Sequence, residues 1–543
     1  MDTAVISVLR RGVACLTVLA SAGCVTNSNV IFVPEVGADV PFDYSATGVV
    51  TIQVADTTPF GGAYPINQVT FAPEDVEASE ESKYLRARPL DGMGDTSRVF
   101  IAELPAGNYS ISSLRTFHQF GESFFSQFYP GGVELGTFKV EPGKLTDLGV
   151  IVVYIKRSGD DYSFSTTRGA SPNRATGHLR NALPGRAAAI SNLAEPLQWD
   201  EDGLEDDRYN AYLNAVNRQI ALGLPDIDTT TGALTFPGPL GVMLTRTADH
   251  EWFLDAFDDD VEIRFYNKTH QGQWMVTEFN ELYQRDTAED DWAAVTPPEG
   301  GRADITFVGD NVAGTPFAVT RSGDFVTIYA GTGQPGEWQS VHQIESKVSF
   351  WTGGADLRFA TYARSGDYLF LALRNKLYRY GIDSQSLTEV DGMSPASLQT
   401  RNGYITATAA NFLGSEKVSF DSGGNWARYR GDLIPKADPE PKKNSRKTRL
   451  KKINIVGHPI FVDEKLAYAI HKGKGSAENY LISSVDGALT WAAREHAPLP
   501  DGCSSLVLAT DSEILLGCFL TGEYYRSEDN GASWVLERDV SET

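Results

Sequence analysis

The chain has 543 residues, with 47 basic against 71 acidic side chains and a formal net charge of −24. Such an acidic surface argues against a nucleic-acid binder, which needs a basic footprint. Hydrophobic and aromatic shares of 41% and 11% support sizeable cores, and the length suits two or three domains.

The N-terminus reads as an export signal. Arg10 and Arg11 precede the apolar run 12–22, which ends in Gly23 and Cys24. A charged start, a short apolar stretch and small residues before a cut describe a signal peptide over residues 1–23. The run is too short for a spanning helix. The segment LASAGC (19–24) resembles a bacterial lipobox, with Ser21 where Leu is usual. That resemblance implies lipidation at Cys24 and, with Val25 following, an outer-membrane lipoprotein. The alternative is cleavage after Ala22 to leave a secreted or periplasmic protein. No second apolar stretch is long enough to span a membrane, so attachment is expected through the N-terminus alone.

Residues 28–157 read as all-β. The runs 48–56, 98–104, 108–114 and 148–155 alternate or stay apolar between turn residues. Pro105-Ala106-Gly107 and Pro142-Gly143 predict two hairpins. The segments 59–65 and 117–132, the second rich in aromatics, read as long loops. The L-P-x-G-x-Y phrase and the Gly and Leu-Gly spacing after Phe138 resemble small β-sandwich domains of bacterial envelope lipoproteins, which implies a spacer or docking module.

A connector is predicted over 158–230. Its stretch 160–177 looks like a linker. The segment after Asp206 then places Tyr209, Tyr212, Leu213, Val216 and Ile220 on one helical face, with Asp206 or Asp207 as the N-cap and Gly223 as the stop. The stripe is expected to pack on the domain that follows.

Residues 231–540 repeat. Arg321-Ser322-Gly323-Asp324 recurs as Arg364-Ser365-Gly366-Asp367, 43 residues on, the period of a four-stranded propeller blade. The phrase predicts a tight turn between a blade's first two strands, with Gly323, Gly366 and Gly403 supplying positive φ. Blades are predicted near 241–300, 303–350, 355–393, 394–435, 452–500 and 501–538. Six or seven are expected, with 233–236 closing the ring beside the last.

Near the C-terminus the signature Ser-x-Asp-x-Gly-x-x-Trp occurs as Ser419, Asp421, Gly423, Trp426 and as Ser527, Asp529, Gly531, Trp534. A third copy keeps Ser484, Asp486 and Trp491 but has Ala488 at the Gly position. Asp486 and Asp529 are again 43 residues apart. These phrases resemble the Asp-box β-propellers, which include sialidases, sortilin-type receptors and non-catalytic assembly factors. The resemblance implies an all-β chain: an N-terminal β-sandwich, a short helical connector and a six- or seven-bladed β-propeller. It also implies that the Asp and Ser bond turn amides, the Gly permits a strained backbone and the Trp packs between strands. On this reading the signature residues mark the fold, and none is catalytic.

Four cysteines are present; Cys15 leaves with the signal, and Cys503 and Cys518 form an even pair in an exported chain, which reads as a disulfide. A hairpin turning at Thr510-Asp511 sets the two opposite each other. The alternative is two buried thiols.

The run 441–452 carries Lys442, Lys443, Arg446, Lys447, Arg449, Lys451 and Lys452. It is an insertion, because Asp421 and Asp486 are 65 residues apart, 22 beyond the period. Seven cations in an acidic chain form a candidate polyanion-binding site for lipopolysaccharide or an acidic partner, or else a charged, solvated loop. Asp255, Asp258, Asp259, Asp260 and Glu262 read as a solvated turn rather than a metal site.

No metal or cofactor is expected. The Arg-Ile-Pro phrase of sialidases is missing, as are the familiar hydrolase, zinc and P-loop motifs. Arg321 and Arg364 read as rim residues. The sequence therefore points to a cell-envelope lipoprotein acting as a non-enzymatic binding or assembly module, with an envelope protein or a glycan as partner. The alternative is a glycan-active or glycan-binding sialidase-like protein.

Overall fold

Strand 47–56 of the N-terminal unit carries apolar and polar residues alike, and nearly all are buried. The reason is burial on both faces. Val50, Ile52 and Val54 enter one core with Val69, Phe71, Ile111, Leu114, Ile151 and Val153. The opposite face of the same sheet packs Ala55, Val150, Val152 and Tyr154 against Ala211, Ala215 and Val216 of a helix and against Leu240 and Val242.

The computed structural model describes residues 31–32, 46–58, 66–74, 85–89, 97–120, 123–130, 135–158, 161–169, 194–196, 204–222, 225–228, 231–257, 260–269, 272–311, 313–333, 336–345, 361–373, 376–409, 416–429, 432–434, 451–452, 454–472, 479–493, 499–518 and 523–538. The predicted signal, Cys24, segment 59–65 and residues 170–177 of the predicted linker lie outside them.

The N-terminal strands form one network of eleven, in which Leu85–Pro89 pairs with Gln68–Pro73 on one side and Ser97–Pro105 on the other. The predicted strand positions hold, but the pairing differs. Ser97–Pro105 pairs with Thr47–Asp56, whereas Gly107–Phe120 pairs with Gln68–Pro73, so Pro105-Ala106-Gly107 joins non-partners instead of closing a hairpin. Pro142-Gly143 does the same between Thr137–Val140 and Leu145–Ser158. At the first crossing the Tyr109 hydroxyl donates to the Pro105 carbonyl at 3.0 Å. Segment 117–132 is a correction of the other kind. It holds the end of a hairpin in which Gly107–Phe120 pairs with Ser123–Pro130, because its aromatic residues are strand formers with only two residues to turn in.

The unit also runs beyond residue 157. Asp161–Arg168 pairs antiparallel with Leu145–Ser158, and Ala194–Pro196 pairs parallel with it. Helix α1, Glu205–Leu222, follows. Asp206 and Asp207 lie inside it, so neither is its N-cap. Asp207 instead accepts the Tyr154 hydroxyl at 2.5 Å. The buried stripe is Ala211, Ala215 and Val216 with Tyr212 beside it, while Tyr209 is 53% exposed. Asn214 donates to and accepts from the Ile155 backbone at 2.9 and 3.0 Å, which ties α1 to the N-terminal unit.

Among the described residues seven sheets follow, spanning 226–256, 263–295, 304–345, 361–390, 395–428, 455–493 and 503–538, here blades 1 to 7. Each has four consecutive antiparallel strands, and blade 6 carries two more. Each neighbouring pair encloses its own core. Met243 meets Met275, Val276 meets Val308, Val319 meets Leu371, and Phe370 meets Ile405. Val418 then meets Trp491, Ile470 meets Leu516, and Leu515 meets Phe236, which returns to blade 1. Seven interfaces for seven sheets make a closed ring, a β-propeller.

Three expectations change. The segment 241–300 contains parts of two blades, because blade 1 begins at Asp226. Leu234–Pro237 pairs with strands of blade 1, not of blade 7, so the ring closes by side-chain packing without a shared strand. The Arg-Ser-Gly-Asp phrase occupies non-equivalent turns: 321–324 joins the second and third strands of blade 3, and 364–367 joins the first and second of blade 4. The equivalent of the latter is the turn at Asn402-Gly403 in blade 5.

Candidate functional site

The turns 419–426, 484–491 and 527–534 are built alike in three consecutive blades, each between the third and fourth strands. Asp421 Oδ1 accepts the Asn425 amide at 2.7 Å and the Ser419 hydroxyl at 2.9 Å, and Ser419 Oγ accepts the Gly423 amide at 2.7 Å. Asp529 repeats this with Ser533, Ser527 and Gly531. So does Asp486 with Thr490, Ser484 and Ala488, although Ala488 replaces glycine. The seventh residue also binds by its side chain: Asn425, Thr490 and Ser533 each donate to the second carboxylate oxygen. These bonds hold Asp529 at about 2, the Ser533 hydroxyl contributing most. All three carboxylates are committed to backbone and side-chain donors of their own turns.

A wider repeat escaped the sequence reading. Trp252, Trp292 and Trp338 stand at the start of the fourth strand in blades 1 to 3, where Trp426, Trp491 and Trp534 stand in blades 5 to 7. Trp292 and Trp338 follow Arg285 and Gly331 by the same seven residues that separate Ser419 from Trp426, and that spacing was the available signal.

Blade 7 closes on blade 1 through a buried charged cluster. Arg246, 1% exposed, donates from Nε and Nη2 to the two oxygens of Glu537 at 2.6 and 2.9 Å. Its Nη1 and Nη2 reach Glu513 at 3.3 and 2.8 Å, and Nη2 also meets His250 Nδ1. Burial alone would weaken the Arg246 charge; the hydrogen bonds it donates to Glu537 and Glu513 outweigh it and raise its pKa. Trp252 donates to Glu537 at 3.0 Å and stacks on Tyr524 at 4.5 Å. His250, Glu513 and Glu537 have ligand atoms within 4.8 Å of one another, the spacing of a metal site. The Arg246 guanidinium already lies within hydrogen-bond reach of all three and supplies the positive charge, so this is a seam, not a metal centre.

A second polar cluster lies where the first strands of non-adjacent blades converge. Asp226 of blade 1 and His458 of blade 6 each feel the charge of Arg401 of blade 5, which places the three near the propeller axis. Burial raises Asp226 to about 6, and the Lys268 amide bonded to Oδ2 at 3.0 Å opposes that rise. Lys268 Nζ pairs with Asp228 at 2.7 Å. Burial, then the Arg401 charge, lowers His458 to about 4. Its ring nitrogens meet Ser397 at 2.8 Å and Thr406 at 2.9 Å. Because Thr406 also lies 3.3 Å from the Gln399 carbonyl as a donor, His458 donates from Nδ1 and accepts the Ser397 hydroxyl at Nε2. Burial lowers Arg401 to about 10 despite Asp226. Neighbouring Asn402 donates to the carbonyls of Phe461 and Ala509, which ties blades 5, 6 and 7 together at the same end.

The predicted acidic turn is not a solvated loop. Asp255 pairs with Arg285 of blade 2 at 2.8 Å. The Asp260 carbonyl accepts Gln53 of the N-terminal unit at 3.4 Å. Val261 and Phe279 pack on Val99. Beside them Glu278 is 1% exposed; its Oε1 accepts the Glu262 amide at 3.1 Å, and Ser97 reaches it from the N-terminal unit. Burial first, and the Glu262 charge second, push Glu278 up to about 8. Asp258 and Asp259 lie outside the described residues.

The sign of this shift fixes a pH dependence. A carboxyl with a raised folded-state pKa contributes its full stability below the unfolded value, about 4.3, and loses it as pH rises through the folded value. The contact between the N-terminal unit and blade 2 is therefore expected to weaken between about pH 4.3 and about pH 8. Glu278→Gln should flatten that slope in thermal melts recorded across the range, and an unchanged slope would refute the assignment.

Cys503 and Cys518 are joined in a disulfide and stand opposite each other in blade 7. Two register shifts lie between them and the tip, so the turn spans Thr510–Glu513 rather than Thr510-Asp511. The basic insertion leaves the outer edge of blade 6: Asp432–Ile434 pairs parallel with Thr490–Ala493, and Lys451–Lys452 pairs back on it. Lys442, Lys443, Arg446, Lys447 and Arg449 lie outside the described residues. Of the two predicted rim arginines, Arg364 sits over the Phe317 ring at 6.0 Å, between blades 3 and 4.

No protein-family model matches the chain, and no curated protein matches it. Solved structures with similar folds include YCF48 from Cyanidioschyzon merolae, 13% identical over 55% of this chain and 92% of that one, with a TM-score of 0.37. YCF48 bound to D1 peptide is 12% identical over 55% and 91%, at 0.36. Hsv2 from Kluyveromyces lactis is 10% identical over 57% and 95%, at 0.35. At such identities and scores the likenesses add nothing to the strand order, which by itself makes this an all-β chain with a seven-bladed propeller.

Proposed function

We propose that this protein is a non-enzymatic binding or assembly module of the cell envelope, held to the membrane through a lipid on Cys24, with the propeller as its docking platform. One observation carries the reading. The N-terminal unit, α1 and the propeller share buried cores, and Ala55, Val152, Val216 and Val242 lie in one of them. Such packing presents the propeller as a fixed platform on a short tether instead of a mobile module. The Asp-box carboxylates, committed to their own turns, mark scaffold rather than chemistry. The basic insertion lies in sequence between two strands at the outer edge of blade 6, on a chain of opposite overall charge, and supports an acidic partner there.

The test is affinity capture from envelope extract with the full chain and with a variant lacking 441–452. A protein enriched by the full chain, lost with the deletion and bound again after purification is the expected result. In parallel, Cys24→Ser should move the chain from the membrane to the soluble fraction. Retention of glycan or lipopolysaccharide with no protein would overturn the docking reading in favour of a glycan-binding propeller. Unchanged fractionation of the Cys24 variant would overturn the anchor.

A further inference from the structure

Arg401 ends the first strand of blade 5 and faces the propeller axis. Its Nη1 donates to the Thr400 carbonyl at 3.2 Å. Its Nε and Nη2 are buried and have no hydrogen-bond partner among the described residues. Those two nitrogens form one side of the guanidinium, where two N–H bonds run parallel at the spacing of carboxylate oxygens. The same pair on Arg246 shows the match within this molecule, holding both oxygens of Glu537. A buried donor left unbonded costs about 1–3 kcal/mol, so a buried pair of parallel donors on one guanidinium calls for an acceptor from outside the described residues.

The surroundings narrow the ligand. Asp226 acts on Arg401 through its charge, but no ion pair joins them, and Asp226 Oδ2 is taken by the Lys268 amide. Lys268 Nζ is paired with Asp228. His458 is neutral and holds its hydroxyl partners, Ser397 and Thr406. The charged groups at the axis thus balance, except that the side-on pair of Arg401 has no acceptor. We propose that Arg401 is the receptor for a ligand carboxylate at the propeller axis, bound side-on through Nε and Nη2. The proposal does not rest on the docking reading.

Asp226 opposes such a ligand while ionised. Protonation of Asp226 below about pH 6, or its replacement by asparagine, should tighten binding. The experiment is calorimetric titration of the full chain with glutarate, with a short peptide bearing a free C-terminus, and with the same peptide amidated. We expect saturable binding of glutarate or of the free-acid peptide and none of the amide. Binding of the free-acid peptide alone would assign the carboxylate to a peptide terminus, and binding of glutarate alone to a small organic acid. Arg401→Gln should weaken binding by about tenfold or more, the loss of a charge-assisted pair. Asp226→Asn should tighten it several-fold at neutral pH. Absence of binding to both acids, or equal binding by the wild type and Arg401→Gln, would overturn the proposal. If Arg401→Gln fails to fold, Asp226→Asn decides, and no tightening would refute it.

Discussion

Replacing Arg246 by methionine should cost the chain about 3–5 kcal/mol, as removal of one partner from a buried charge network does. The substitution keeps the volume of the side chain and removes its donors. Glu513 then loses its arginine, Glu537 keeps only Arg526 as an arginine partner at 2.9 Å, and Trp252 alone still donates to Glu537 from blade 1. The loss should be local. Blades 1 and 7 share no strand, so beside the apolar contacts of Phe236, Leu244 and Leu515 the cluster is what shuts the ring. Hydrogen exchange should accelerate first in Leu234–Pro237 and Ile514–Cys518, which flank the seam. Denaturant unfolding should show an earlier first transition. Adding Glu537→Gln and Glu513→Leu to the methionine variant should recover much of the loss, because the penalty comes from stranded charges and not from missing attraction. A shift under about 1 kcal/mol, or exchange that rises evenly over all seven blades, would show that apolar packing closes the ring without the cluster.

The contrast between this seam and the three Ser-x-Asp turns explains how much was legible in the sequence. Such a turn is written in eight consecutive residues, because its Asp and Ser bond within their own turn. Three turns of that kind could therefore be located from the sequence. The disulfide was readable for a similar reason: its two cysteines lie 15 residues apart within one hairpin. Arg246 and Glu537 are separated by 291 residues, and nothing near either one announces the other. Arg401 is harder still. An arginine before Asn-Gly reads as an exposed turn residue, and only the ring carries it to the axis. The N-terminal hairpins failed for a related reason. Pro-Ala-Gly signals a reversal of direction but not whether the next strand pairs with the last or crosses to other partners. The Arg-Ser-Gly-Asp phrase likewise marks a two-residue turn, which blade 3 and blade 4 use at different places. Burial on both faces hid a further interface, since Gln53 and Glu278 look like surface residues until blade 2 and the N-terminal unit cover them.

Gly423→Ala should destabilise the chain by about 2–4 kcal/mol, combining overpacking with a left-handed backbone that alanine resists. Gly423 has φ 81°, and an added Cβ would lie 2.3 Å from the ring of Phe370 in blade 4. Phe370 is fully buried and cannot yield without disturbing the contact between blades 4 and 5. Gly531→Ala at the equivalent place in blade 7 should cost less. Its Cβ would also come within 2.3 Å of a neighbour, but that neighbour is the tip of Leu481, which can change rotamer. The third copy runs in reverse. Ala488 holds φ 63° while fully buried, so the blade 6 turn already tolerates a methyl group there. Ala488→Gly relieves about 1 kcal/mol of left-handed strain and loses a small buried contact, and the two should nearly cancel. Urea midpoints of the three variants should fall in the order Ala488→Gly highest, Gly531→Ala next and Gly423→Ala lowest. If Gly531→Ala proved as costly as Gly423→Ala, backbone conformation alone would set the glycine requirement. If Ala488→Gly were strongly destabilising, the methyl group would be a packing element of blade 6 and not a tolerated departure from the signature.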